Sequence, residues 1–152
     1  MKFMVVFSEG MDLSKEVLVT VKGTQTNEFG EKDTIELVTR GNYYYKNNSY
    51  YIVYNESRLS GLEGTTTSLK AEPDRVTLNR MGAAEMKQIF QEGVHNQGMY
   101  VTSCGSLEMR VLPRKVKVLL DHSGGSIDLG YDIEMGSKKL GYNELSITVK
   151  EL

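Results

Sequence analysis

Apolar and polar residues alternate with a period of two through most of this chain. Residues 16–25, EVLVTVKGTQ, set Val17, Val19 and Val21 against Thr20 and Lys22. Residues 34–40 set Ile35 and Leu37 against Glu36 and Arg40, and in 75–81 Val76, Leu78 and Arg80 oppose Thr77 and Asn79. The pattern is most regular towards the C-terminus. There Ile127, Leu129, Tyr131, Ile133 and Met135 oppose Asp128, Asp132 and Glu134, and Leu145, Ile147 and Val149 oppose Ser146, Thr148 and Lys150. Successive side chains of a strand point to opposite faces, so each stretch predicts a strand with one buried and one wet side. Gly, Asn and Asp punctuate the series at short intervals and, in a chain with two prolines, make most of the turns. Further strands are predicted over 64–72, which is polar and Thr-rich, and over 98–103, 105–112 and 116–122.

The densest β signal is GNYYYKNNSYYIVYNE, residues 41–56, which holds six of the nine tyrosines. Asn47-Asn48 separates two runs of β-formers and tolerates the positive φ of a two-residue hairpin turn. That turn would set Tyr44 opposite Tyr51 and Tyr45 opposite Tyr50, aromatic pairs worth roughly 0.2 to 1 kcal/mol each. Residues 83–93, AAEMKQIFQEG, resist assignment. Helix formers, apolar residues at Met86, Ile89 and Phe90 and a terminal Gly favour a helix, whereas a strand would put Met86, Gln88 and Phe90 on one face. Many short strands without a sustained helix predict an all-β barrel or sandwich. Sequential pairing and the need to remove strand edges favour a single antiparallel meandering barrel of about eight to ten strands. No Trp and no Cys…Trp…Cys spacing is present, which weakens an immunoglobulin-like sandwich.

At 152 residues the chain suits one domain, burying roughly 70% of its unfolded surface. Its 18 basic and 20 acidic residues leave a net charge of −2, spread evenly, which argues against a nucleic-acid partner. The one basic cluster, PRKVK at 113–117, reads as the solvated start of a strand. Cys104 is alone and sits in a small-residue turn as a free structural thiol. No apolar run approaches the ~20 residues of a membrane span, so no membrane partner and a cytoplasmic location are expected. MKFMVVF at the N-terminus is too short for a secretory core. A first strand, a disordered lead or a start ahead of Met11 would all fit it. Because the alternation becomes convincing at Glu16, residues 1–13 are read as an appendage and 14–152 as the barrel domain.

Several of these residues also carry a likeness to a known family. Gly41, Tyr43, Tyr44, Tyr51, Tyr54 and Glu56 come first, then Thr67 and Lys70, then Arg80, Gly82, Met86, Phe90 and Gly93, with Tyr100, Gly105, Leu107, Ile127, Tyr131 and Leu145 later. In their order and spacing the chain resembles the YwiB-like proteins, uncharacterised bacterial barrels of the calycin (lipocalin-like) type. The resemblance runs from about Glu16 to the C-terminus. It implies a calycin-like barrel in which residues 86–91 form a strand, and it implies no function.

Candidate chemistry lies in charged side chains on apolar faces. Arg80 shares parity with Val76 and Leu78, and Glu56 with Ile52 and Tyr54. If those faces line the barrel, the two charges must pair, because an isolated buried charge costs several kcal/mol. One reading is a ligand cavity with Arg80 and Lys70 as a cationic floor, Glu56 beside them, and the hydroxyls of Tyr44 and Tyr51 as orienting donors. The other is a structural ion pair that sets strand register, beside tyrosines that serve strand pairing. For the whole protein, the corresponding readings are a barrel binding a small amphipathic or anionic ligand, and a barrel filled by its own side chains that acts through its surface or as a homodimer. His95 and His122 have no metal-ligand spacing, no nucleophile–base–orienter set is present, and no cofactor, metal site or catalytic residue is indicated.

Overall fold

A computed structural model describes residues 14–152 of the chain. The reading of residues 1–13 as an appendage lies outside the described residues. Ten strands among the described residues form one antiparallel sheet: β1 (Lys15–Thr26), β2 (Lys32–Lys46), β3 (Ser49–Asn55), β4 (Thr65–Glu72), β5 (Arg75–Gly82), β6 (Met86–Phe90), β7 (Asn96–Thr102), β8 (Gly105–Asp121), β9 (Gly124–Met135) and β10 (Lys138–Glu151). Their order is β6-β5-β4-β3-β2-β1-β10-β9-β8-β7, so sequential strands are spatial neighbours and β1 pairs with β10. The outer strands of this curled sheet, β6 and β7, meet at a seam. Glu85 and Val101 exchange two backbone hydrogen bonds of 2.8 and 2.9 Å, and the backbone N–H of Ile89 donates to Asn96 Oδ1 at 3.3 Å. The result is a nearly closed barrel.

Asn47 and Asn48 have φ of 50° and 66°, as a tight hairpin turn requires, and Tyr44 pairs with Tyr51 and Tyr45 with Tyr50. Residues 86–90 are a strand with Met86, Gln88 and Phe90 buried. Here tertiary pairing overrides helix propensity, because a strand is needed to approach β7. Two pairs of predicted strands are each one continuous strand. Residues 34–40 and 43–46 belong to β2, and 105–112 and 116–121 belong to β8, with His122 in the turn that follows. PRKVK is therefore the middle of β8 rather than its start. Pro113 fits there because the β9 register shifts beside it and its carbonyl accepts from the N–H of Gly93, in the loop between β6 and β7.

The interior is graded along the barrel axis. Towards the end capped by the Asn47-Asn48 and His122-Ser123 turns, Val17, Val19, Ile52, Leu69, Val76 and Ile127 are fully buried. Towards the other end the inward positions of β3 to β6 become Tyr54, Glu56, Thr65, Thr67, Arg80 and Gln88. One end is thus a packed apolar core, and the other combines the polar side chains of β3 to β6 with buried Met109, Val111 and Ile133 of β8 and β9.

Candidate functional site at the polar end of the barrel

A cross-strand row brings the polar residues together. Gly41 of β2 pairs with Tyr54, Tyr54 with Thr67, Thr67 with Arg80, and Arg80 with Met86. Gly41 is required at the head of this row, since a Cβ there would lie 2.7 Å from Val53 O and 2.9 Å from a Val19 methyl. Glu56 follows β3 directly, and its backbone N–H donates to Thr65 O at 2.8 Å, which prolongs the strand register by one residue. Its side chain is 3% exposed.

Two groups share one carboxylate oxygen and also contact each other. Thr67 Oγ1 donates to Glu56 Oε2 at 2.5 Å, Arg80 Nε lies 3.9 Å from the same oxygen, and Arg80 Nε donates to Thr67 Oγ1 at 3.4 Å. The Arg80 side chain is 21% exposed. Its inner edge is thus engaged through Nε, while its two terminal nitrogens hydrogen-bond to none of the described residues. An arginine fork with one free edge is suited to accepting a carboxylate or phosphate.

Burial, and then the Glu56 carboxylate, raise the Tyr54 hydroxyl above the ordinary phenol range, although Arg80 pulls the other way. Burial raises Tyr131 as well, opposed by its neighbours Asn143 and Arg80. Both phenols therefore stay neutral hydrogen-bonding groups. A pKa raised in the folded state contributes stability that is complete below the unfolded value of about 10 and is lost as pH rises past it. We expect stability in guanidinium unfolding to fall above about pH 10 and the decline to be shallower in Tyr54→Phe. Identical alkaline profiles for the two proteins would contradict this placement of Tyr54.

The other sequence candidates lie elsewhere. Lys70 alternates with buried Leu69 and Ala71, so it sits on the outer face of β4 beside Tyr51 and Thr77 and does not floor the interior. Tyr44 and Tyr51 are stacked at 5.0 Å in that same outer row, and their hydroxyls do not orient anything inside. Of the hairpin tyrosines, Tyr43 and Tyr54 are the buried ones. Glu56 and Arg80 come together as their parity implied. Thr67, Tyr54, Tyr131 and Gln88 were missed as site residues. The legible signals were that Tyr54 shares parity with Glu56, and Thr67 with Leu69.

Arg80 is among the walls of a groove of about 700 Å³ that is open to solvent along the seam. Met81, Glu85, Met86, Lys87, Ile89, Asn96, Gly98, Met99 and Val101 are among its walls. Gly98 allows β7 to come close, since a Cβ there would be 3.1 Å from Lys87 O. Among the described residues no group of three or more His, Cys, Asp or Glu is placed to hold a metal ion, and no helix is long and apolar enough to cross a membrane.

Comparison with known proteins agrees with this architecture. The "Uncharacterized beta-barrel protein YwiB" of Bacillus subtilis (strain 168) is 31% identical over 119 residues, covering 78% of this chain and 82% of the relative. The crystal structure of the ywiB protein from Bacillus subtilis superimposes with a TM-score of 0.83 at 28% identity, over 94% of this chain and 96% of that one. A domain of unknown function, DUF1934, matches residues 19–147. The chain therefore belongs to the DUF1934 family of β-barrel proteins, whose function is unknown.

Proposed function

We propose that this protein is a cytoplasmic, non-enzymatic barrel that binds a small anionic or amphipathic ligand at its polar end, with Arg80 as the anchoring group. The observation that carries the reading is the half-used guanidinium. Glu56 and Thr67 hold its Nε edge, its terminal nitrogens are left without partners among the described residues, and Arg80 is among the walls of an open groove. A purely structural pair would be better served by a guanidinium turned to meet the carboxylate with two parallel bonds. Glu56 then acts as a positioning residue that fixes the fork. Methionines 81, 86 and 99 line the groove as adaptable apolar surface for the rest of the ligand. The fully buried apolar half leaves little space there, so the ligand stays at the seam and the polar end.

A thermal-shift screen of carboxylate and phosphate metabolites against wild type and Arg80→Gln tests this. A ligand at 100 times its Kd stabilises by about 2.7 kcal/mol. We expect at least one carboxylate or phosphate to raise the wild-type Tm and to leave the Arg80→Gln Tm unchanged. A ligand that shifts both proteins equally removes Arg80 from the site.

A further inference from the structure

Gln88 lies on the inner face of β6 between Met86 and Phe90 and is 1% exposed, yet neither its amide nitrogen nor its amide oxygen has a hydrogen-bond partner among the described residues. Burying an amide with no partner is costly, and a methionine of similar length would fill the same space without that cost. Such a group calls for something that completes it. Its surroundings indicate what that is. A Cβ on Gly98 would be 3.9 Å from Gln88 Nε2, so the amide lies immediately behind a residue that lines the groove. Arg80 is on the adjoining inner face, where Arg80 pairs with Met86 and Leu78 pairs with Gln88. On the apolar side Phe90 packs against Tyr131, with ring centroids 4.9 Å apart.

We infer that Gln88 is an amide-recognising subsite, and that the ligand is a small carboxylate that also carries a lactam or a primary amide. A glutamine amide presents one donor and one acceptor side by side. A lactam offers the complementary edge, its C=O accepting from Nε2 and its N–H donating to Oε1. The ligand's carboxylate sits on the terminal nitrogens of Arg80. This inference rests on the Arg80 reading above and adds the second anchor that selects among carboxylates. A site built to bond an amide discriminates strongly against an analogue that lacks one, because the buried polar group is then left unpaired.

A matched pair of probes separates the two ideas. Pyroglutamate and cyclopentanecarboxylate share a five-membered ring and a carboxylate, and the first alone has a lactam. Calorimetric titration of wild type should show pyroglutamate binding at least about tenfold more tightly. In Gln88→Met that preference should vanish, while the Tm of the ligand-free variant should rise by roughly 2 to 6 °C because an unpaired buried amide has gone. Equal affinity of the two probes for wild type would overturn the amide subsite and leave the Arg80 reading standing. Loss of both affinities in Arg80→Gln together with a retained preference in Gln88→Met would do the same. No binding of either ring at millimolar concentration would overturn both. A lowered Tm in ligand-free Gln88→Met would show that the amide is already satisfied within the protein, and the inference would fall with it.

Discussion

Arg80→Met should destabilise the protein by about 3 to 5 kcal/mol, while Glu56→Gln should cost only about 1 to 2 kcal/mol. The asymmetry follows from where each partner lies. Removing Arg80 strands a carboxylate whose side chain is 3% exposed and leaves it only neutral donors, the Thr67 hydroxyl and the Tyr54 phenol, among the described residues. Removing the charge of Glu56 leaves a guanidinium that is 21% exposed and can turn towards solvent, while the glutamine amide still accepts from Thr67. The double variant Arg80→Met with Glu56→Gln should be more stable than Arg80→Met alone, because it no longer buries an unpaired charge. Urea unfolding with an unchanged m-value measures all three. Near-neutral single variants, or a larger loss for Glu56→Gln than for Arg80→Met, would contradict the described burial.

Gly125→Ala should cost about 3 kcal/mol or more. Gly125 has φ of 138°, a region that L side chains rarely occupy, and a Cβ there would meet Leu119 O at 1.9 Å. That carbonyl belongs to the neighbouring backbone of β8, so relief requires moving a strand rather than a side chain. The sequence Ser123-Gly124-Gly125-Ser126 reads as a flexible turn. In the structure Gly124 and Gly125 already pair with β8 and β10, and the glycines serve close packing of three strands. A substitution at Gly136, where nothing lies within 4 Å of the built Cβ, should cost less, although its φ of 62° still favours glycine. Thermal unfolding of the two alanine variants provides the comparison, and equal losses would undercut the account.

The barrel was legible because period-two alternation is a direct image of its wall. Ile127 to Met135 and Leu145 to Val149 face inward as their spacing required. The segment around Met86 was not, since Ala, Glu, Met, Lys and Gln favour helix locally and the demand for a strand comes from pairing with the flanking strands β5 and β7, which local propensity does not register. The site was half legible. Parity placed Arg80 and Glu56 inside. Lys70 would have been placed outside by the same count from Leu69, had charge not been weighed above alternation. Tyr43, Tyr44 and Tyr45 defeat the rule altogether, because three identical residues carry no parity signal and the choice between faces is made by Gly41 and Ile52. Gln88 shared a face with Met86 and Phe90 in the strand parse, but whether its amide finds a partner is settled by packing across the barrel.

Native mass spectrometry of protein purified from its own host tests the central claim most directly. That claim is that the free edge of Arg80 holds a small anion at the polar end of the barrel. Wild type and Lys70→Met, whose change lies on the outer face, should both emerge with the same small acidic adduct, and Arg80→Gln should emerge without it. A wild-type protein that carries no adduct, or an Arg80→Gln protein that carries as much as wild type, would contradict the account.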